Sequence, residues 1–250
     1  MPYSADFFTS HRAGSASSAA RMVPMILELT GAASVIDVGC GIGTWLAEFA
    51  NRGVADVLGV DGAWVNPAQL AIPRDKFVAA DLARELPVDR VFDLAISMEV
   101  AEHLPESCAD RFVESLTALA PIVVFSGAIP MQGGTDHTNE QWPGYWVTKF
   151  SARGFRPIDC LRPLVWGAED VEWWYAQNTI VYALDRALAA SEPLRTAHAR
   201  HGGDPLPLVH PRCLAARVAQ PIGLHRMLRE FPGAIAGAIR AKTGAGGQSP

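Results

Sequence analysis

The 250-residue sequence is poor in the features that mark extracellular, membrane-spanning or zinc-binding proteins. Its four cysteines lie far apart and include no CxxC pair, which indicates reduced single thiols rather than a disulfide framework or a zinc site. No uninterrupted apolar segment approaches the roughly 18–20 residues that span a bilayer. The N-terminus lacks the basic start and apolar run of a signal peptide. We therefore expect a cytoplasmic protein with no membrane partner.

Positive charge is also sparse. The formal net charge is −5, the isoelectric point is about 5.8, and no dense cluster of Lys and Arg is present. This composition does not favour a nucleic-acid partner, because such binding depends largely on phosphate contacts. A hydrophobic content of 49% and a charged content of 19% are those of a globular chain with enough apolar material for a core.

Short apolar runs alternate with amphipathic segments from residue 34 onward. Such alternation predicts a parallel sheet with helices on both faces. The predicted helices span residues 44–53 and 106–120. The predicted strands span residues 34–39, 56–61, 76–81, 91–97, 122–129, 155–161 and 178–185.

The two ends of the chain differ from this alternating region in composition and pattern. Residues 1–33 are predicted to form an N-terminal cover with a helix in its second half, and residues 1–185 to form one domain. Residues 186–250 are predicted to form a C-terminal extension. Within it, 193–213 is rich in Pro, Gly and His and predicts loops, 223–242 predicts a helix, and the end predicts disorder.

A glycine-rich turn follows the first predicted strand in "VIDVGCGIGTW". Gly39, Gly41 and Gly43 would let the backbone approach a ligand at the carboxyl end of the sheet, where such folds bind ligands. A tight strand-to-helix connection without a ligand is the alternative. Asp61 and Asp81 end the next two strands, so the set predicts an adenosine pocket, with Asp61 accepting the ribose hydroxyls and Asp81 near the adenine.

The spacing of the turn distinguishes between adenosine cofactors. The nicotinamide and flavin fingerprint requires a third small residue, whereas Thr44 or Leu46 stands at that position here. Asp37 instead precedes the glycines in a D-x-G-x-G-x-G pattern. A carboxylate there suits a cationic ligand such as S-adenosylmethionine (SAM), whose sulfonium and amino groups are positively charged.

These motifs resemble those of the class I SAM-dependent methyltransferases. The resemblance covers residues 34–185, through "VIDVGCGIGTW", "GVDG", "AADL" and "FDLAISMEVAEHL". It implies an α/β, Rossmann-like, seven-stranded and mostly parallel sheet, with helices on both faces and an antiparallel last strand. It also implies that SAM is bound by Asp37, Gly39, Gly41, Gly43, Asp61, Gly62, Asp81 and Leu82.

An acidic and histidine-containing segment, "SMEVAEHL", follows the fourth strand. On one turn of helix, Glu99, Glu102 and His103 would share a face. With His137 they offer ligands for Mg²⁺, Mn²⁺, Fe²⁺ or Zn²⁺, and a related ExxEH occurs in 2′-O-methyltransferases of small RNAs and in ubiquinone-biosynthesis O-methyltransferases. Alternatively, His103 or His137 takes the acceptor's proton and no metal binds. Both interpretations stay open.

The segment after the fifth strand has the pattern GGxxHxNEQWPxYW. It resembles methyltransferases encoded among bacterial glycan and natural-product genes, which implies a hydroxyl of a small molecule, saccharide or secondary metabolite as acceptor. The alternatives are N-methylation of a small amine, a catalytically silent methyltransferase-like binding domain and, third, an oxidoreductase.

Overall fold

A computed structural model describes the backbone of residues 5–219 and the side chains of residues 13–219. It contains a seven-stranded sheet in the order β3-β2-β1-β4-β5-β7-β6. The strands are β1 (Ser34–Val38), β2 (Asp56–Asp61), β3 (Phe77–Ala79), β4 (Leu94–Met98), β5 (Ile122–Ser126), β6 (Phe155–Ile158) and β7 (Ile180–Leu184). Each predicted strand is therefore confirmed.

Helices precede, connect or follow these strands. They are α1 (Ala5–Thr30), α2 (Thr44–Asn51), α3 (Ala109–Leu119), α4 (Pro143–Ser151), α5 (Arg162–Val165), α6 (Trp173–Asn178), α7 (Asp185–Ala190), α8 (Glu192–His201) and α9 (Pro211–Val218). Two 3-10 turns, Ala101–His103 and Glu106–Cys108, follow β4. None of the described helices combines the length and the apolar character that crossing a membrane requires.

The strand directions match the expectation for this fold class. β1 pairs in parallel with β2 and β4, β2 with β3, and β4 with β5. β7 lies between β5 and β6 and is antiparallel to both. The predicted Rossmann-like sheet with an antiparallel last strand is confirmed.

The sheet is buried on both faces because successive residues of each strand point to opposite sides. Val35, Leu94 and Val124 belong to one apolar cluster, which includes residues of α1 and α2. Their neighbours Ile36 and Ala95 belong to the other, which includes residues of α3 and α4. Two apolar cores therefore pack against opposite faces of the sheet. Polar residues lie at the edge formed by the strand ends.

The region after β7 departs from the prediction. Residues 193–213 were expected to form loops, but α8 occupies Glu192–His201. The Oγ of Ser191 accepts a hydrogen bond from the Leu194 N–H, and Pro193 lies in the first turn, so this helix has a capped start that proline favours. One compact unit of the chain comprises Met1–Cys213.

A second unit comprises Leu214–Pro250, of which residues 214–219 are described and include the end of α9. The helix predicted at 223–242 and the predicted disordered end lie outside the described residues.

Candidate active site

The glycine turn after β1 requires glycine for two separate reasons. Gly39 has a φ of 89° and Gly43 a φ of 82°, in the left-handed region that other residues avoid. A Cβ at Gly39 would lie 2.3 Å from Cγ2 of Val100, and one at Gly43 would lie 2.8 Å from Cγ1 of Ile72. The turn is therefore shaped by backbone conformation and by close packing, and it lines a cavity of about 540 Å³.

Asp61 fastens the end of β2 to this turn. Its Oδ2 accepts a hydrogen bond from the Gly41 N–H and its Oδ1 one from the Gly62 N–H, both at 2.6 Å. Burial raises the pKa of Asp61, and these two hydrogen bonds oppose that effect. Each carboxylate oxygen keeps a further lone pair, so Asp61 can still accept a hydroxyl of a ligand in the cavity.

Asp37 is buried without compensation. It is 2% exposed, and no described residue donates a hydrogen bond to its Oδ1. Burial first, and the charge of Asp61 second, raise its pKa well above the usual range of a carboxyl group. A positively charged ligand in the adjoining cavity would offset both effects.

The other residues of the predicted adenosine pocket differ from one another. Leu82 is buried and lines the cavity, whereas Asp81 is exposed, accepts a hydrogen bond from the Ala83 N–H and pairs with Arg84 at 3.2 Å. Asp81 also lines the cavity, so it faces this pocket while shaping a turn. Trp64 lies over Gly62, where a Cβ would approach its ring to 2.2 Å.

Glu99 does not share a helical face with Glu102 and His103, and that part of the prediction is wrong. Glu99 follows β4 with a φ of 57°, in the left-handed region. The 3-10 turn that holds the other two residues begins only at Ala101. The Glu99 N–H instead donates to the Oγ of Ser126 at 2.9 Å, which ties this residue to the end of β5.

Glu102, His103 and His137 come together as predicted. One ligand atom from each lies within 4.8 Å of the others. Glu102 is fully buried, and no described residue makes a hydrogen bond of good geometry to either carboxylate oxygen. Burial, followed by the charge of Glu99 and a side-chain contact with it, raises the pKa of Glu102 well above the usual range, and nearby backbone N–H groups offset only part of this.

An orphaned carboxylate beside two imidazoles fits a divalent cation in its donor chemistry. Glu99 lies outside this group of mutually close ligand atoms, and its carboxylate accepts hydrogen bonds from two amide side chains. The four-residue ligand set expected from the sequence therefore reduces to three.

Glu140 orients His137, a role that the sequence pattern did not reveal. The Glu140 carboxylate accepts hydrogen bonds from the backbone N–H groups of Met131, at 2.8 Å, and of Gly133. Its Oε1 lies 2.9 Å from Nδ1 of His137. Because the carboxylate is an acceptor, Nδ1 carries the proton in this pair and Nε2 keeps its lone pair. His137 is thus prepared to accept a proton or bind a metal through Nε2.

His103 lies beside His137, with the ring centroids 4.8 Å apart. Burial, followed by the charge of His137, lowers the pKa of His103 to about 4. His103 is therefore neutral near pH 7 and is a weaker base than an ordinary imidazole.

Aromatic side chains form another part of the cavity wall. The Oγ of Ser15 on α1 lies 3.2 Å from the Tyr175 hydroxyl, and the Trp45 ring meets that of Tyr175 edge to face at 5.2 Å. The aromatic residues that line the cavity are Trp45, Trp64, Trp173, Trp174 and Tyr175.

The fold and the site together define an α/β protein whose cavity suits a cationic ligand with an adenosine part. The model of a family described as a methyltransferase domain matches residues 11–156. Trans-aconitate 2-methyltransferase from Azoarcus sp. is 31% identical over 195 residues, which cover 71% of this chain and 72% of that protein. The chain belongs to this methyltransferase family and is a class I SAM-dependent methyltransferase.

Solved structures share the fold at low sequence identity. The sugar N-methyltransferase KedS8 from Streptoalloteichus sp. matches with a TM-score of 0.59 and 16% identity over 74% of this chain and 94% of its own. SAM-bound CalS10, an amino pentose methyltransferase from Micromonospora echinaspora, matches with a TM-score of 0.53 and 17% identity over 72% and 97% of the two chains. At these identities the likeness shows the fold.

Proposed function

We propose that the enzyme transfers the methyl group of SAM to a hydroxyl of a small polyhydroxylated acceptor, such as a sugar or a secondary metabolite. The observation that carries this proposal is the pair of His137 and Glu140. It places an imidazole with an available Nε2 on the wall of the cavity that the glycine turn lines. An acceptor hydroxyl needs such a base, because it is a poor nucleophile until its proton is removed.

The cofactor half of the cavity would hold SAM through the residues predicted for it. Asp37 and the turn of Gly39, Gly41 and Gly43 would bind the methionine part, whose positive charges offset the cost of burying Asp37. Asp61 and Gly62 would hold the ribose, and Asp81 and Leu82 the adenine. Bound SAM supplies an electrophilic methyl group on a sulfonium.

The acceptor half would act by alignment and by proton removal. Nε2 of His137 would take the hydroxyl proton as the acceptor oxygen forms its bond to the methyl carbon. The bond between that carbon and sulfur breaks, and S-adenosylhomocysteine leaves. The aromatic wall offers apolar surface for the acceptor's ring. We assign the proton to His137 rather than His103 because Glu140 fixes the tautomer that this step requires.

A divalent cation held by Glu102, His103 and His137 is the alternative within O-methylation, and the orphaned Glu102 carboxylate favours it. The cation would lower the pKa of an acceptor hydroxyl. A second candidate function is N-methylation of an amine, which the same carboxylate also favours, because it would attract an ammonium group. The structural neighbours described as a sugar N-methyltransferase and an amino pentose methyltransferase support this second candidate.

Methyl transfer from isotopically labelled SAM to a metabolite extract of the source cells, with and without chelator, tests these proposals. We expect a labelled methyl ether on a small hydroxylated product, formed equally with and without chelator. His137→Gln should lower the rate about 10²–10⁴-fold, the range for general base catalysis. Loss of activity on chelation with recovery on adding Mn²⁺ or Zn²⁺ would support the cation. A labelled N-methyl product would support the second candidate, and absence of SAM binding in calorimetry would overturn the proposed function.

A further inference from the structure

Three buried amide side chains lie behind Glu99, and we call Gln132, Gln177 and Asn178 the amide network. Nε2 of Gln132 donates to Oε2 of Glu99 at 2.7 Å, and Nδ2 of Asn178 donates to Oε1 of Glu99 at 2.9 Å. Gln132 is 3% exposed, Gln177 is fully buried and Asn178 is 5% exposed. Both Glu99 oxygens are therefore held by amides that solvent does not reach.

The direction of each hydrogen bond follows from a main-chain group at the far end of the network. The His210 N–H, which can only donate, lies 2.8 Å from Oε1 of Gln177. The other end of that amide must then be its NH₂ group, which donates to Oε1 of Gln132 at 2.9 Å and to Oδ1 of Asn178 at 3.0 Å.

The same logic passes to the next two residues. Because the amide oxygens of Gln132 and Asn178 accept from Gln177, their NH₂ groups point toward Glu99. The Ile129 N–H also donates to Oε1 of Gln132, at 3.3 Å, which confirms that this atom is the oxygen. Reversing either amide would set oxygen against oxygen, so the network has one consistent polarity.

Glu99 is consequently presented to the cavity in one orientation and as an acceptor of hydrogen bonds. A carboxylate has about four lone-pair positions. The two amides donate to one on each oxygen, and the Ser126 hydroxyl and the Glu102 carboxyl group also interact with the Glu99 carboxylate. Glu99 is partly exposed and lines the cavity beside Glu102 and His103. A ligand group that meets Glu99 there must therefore be a donor.

We propose that the amide network positions Glu99 to accept a hydrogen bond from an O–H or N–H of the methyl acceptor. Gln132, Gln177 and Asn178 are then positioning residues, and Glu99 selects acceptors that carry a hydroxyl or an ammonium group over those that present only a carboxylate. This inference rests on the proposed function. It adds a specificity element contributed by residues 177, 178 and 210, all beyond the matched family region.

An exchange of the amide and the carboxylate tests the proposal. In Gln132→Glu alone, a carboxylate oxygen replaces the NH₂ group that faces Glu99, so both stability and methyl transfer should fall. In the double variant Glu99→Gln with Gln132→Glu, every hydrogen bond between these side chains is restored and the net charge is unchanged. The carboxylate, however, has moved from position 99, which is partly exposed, to position 132, which also borders the cavity but is only 3% exposed.

The measurements are thermal unfolding, SAM binding by calorimetry, and methyl transfer to the extract fraction that yields the labelled product. We expect the double variant to recover the melting temperature and to bind SAM as the wild type does. Its kcat/KM should remain lower by about 10- to 100-fold, the equivalent of a hydrogen bond to a charged group. The loss should lie mainly in KM for that fraction.

Gln141→Glu is the matched control. Its Nε2 donates to Oδ1 of Asn139 at 2.9 Å, away from Glu99, and no described residue partners the Nδ2 of Asn139, whose amide can turn to compensate. This variant should keep its kcat/KM. Recovery of methyl transfer together with stability in the double variant would overturn the inference and leave the proposed function standing. A wild type that binds SAM but methylates nothing would overturn both.

Discussion

Asp37 is a residue whose local environment opposes its charge. It lies in the interior of β1, and Asp61 adds a second negative charge nearby. Burying a carboxylate that has no compensating partner costs free energy. Folded proteins retain such buried groups mainly at sites where a ligand binds them. The cost should therefore appear in the protein without SAM and diminish when SAM binds.

The substitution Asp37→Asn separates the effect of this carboxylate on SAM binding from its effect on the stability of the ligand-free protein. SAM affinity should fall about 10- to 100-fold, because a charged contact worth about 1.5–3 kcal/mol is lost. The free energy of unfolding without ligand should not fall at pH 7, because the variant removes a buried charge. Calorimetry with SAM and chemical denaturation of the ligand-free protein measure the two quantities. A loss of stability equal to the loss of binding energy would contradict this account.

The pH dependence follows from the raised pKa of Asp37. A carboxyl group that binds its proton more tightly in the folded state stabilises that state at low pH, and this stabilisation is lost as pH rises above the unfolded value near 4. The stability of Asp37→Asn relative to the wild type should accordingly increase between pH 4 and pH 7. Melting temperatures of the ligand-free proteins across this range provide the check.

The residues proposed for the cofactor site could be located from the sequence because they stand in the last residues of a strand or in the turn that follows. The position of such a residue depends on local structure alone. Glu140 could not be predicted in its role, since its contact with His137 depends on the path of an irregular loop. Glu99 was misplaced because its left-handed backbone depends on Ser126, whose contribution is distant in sequence.

At the scale of elements, α1 is joined to the segment that precedes α6 through one serine. The buried Ser18 hydroxyl donates to the Gly14 carbonyl at 2.7 Å and accepts from the Glu172 N–H at 2.9 Å. The neighbouring Ser17 also donates to the Gly14 carbonyl, at 3.1 Å, but it is exposed and makes no bond to Glu172. Comparing Ser18 with Ser17 therefore separates the hydrogen bond to Glu172 from the hydrogen bond within α1.

Ser18→Ala should therefore destabilise the protein by about 1–3 kcal/mol, because the Glu172 N–H loses its partner in a partly buried place. Backbone amides of residues 172–175 should also exchange hydrogen faster. Ser17→Ala should change neither quantity measurably. Chemical denaturation and hydrogen exchange read by mass spectrometry make the comparison. Equal effects of the two variants would show that this contact does not hold the elements together.

Elements were predicted best where burial is continuous. β1, β4 and β5, which are buried along almost their whole length, were found because such apolar runs leave few alternatives. In contrast, α8 was missed despite the signals of Ser191 and Pro193 at its start. The proline, glycine and histidine residues of 193–213 suggested loops. The helix forms there because its buried Leu194 belongs to the apolar cluster shared with α1.

At the scale of the whole molecule, Arg162 connects three stretches of the compact body. It is 1% exposed, and its Nε and Nη2 donate to the two carboxylate oxygens of Asp159. Its Nη1 donates to the carbonyls of Gln177, at 3.2 Å, and Leu206, at 3.1 Å. Residues 202–213 are thereby fastened to the strands that complete the sheet. The sequence pattern gave no indication of this, because the partners of a buried charge are set by the tertiary structure.

Arg162→Met should destabilise the protein by about 3–5 kcal/mol, because it leaves Asp159 and two carbonyls without their donor. Arg156→Met is the control. Arg156 pairs with Asp185 at 3.1 Å on the exposed surface, where an ion pair adds little. Chemical denaturation should show a large shift for the first variant and none beyond error for the second. Similar shifts would mean that residues 202–213 are not secured by this guanidinium.

The amide network ends at a main-chain N–H, and this has a consequence for evolution. Every amino acid except proline carries that group, so the donor at position 210 persists whichever other side chain stands there. A sequence alignment compares residue identities. It therefore does not record the main-chain N–H that sets the direction of the hydrogen bonds in the amide network. Distant enzymes built on the same arrangement would be found by superposing donors and acceptors, even where no shared residue marks the place.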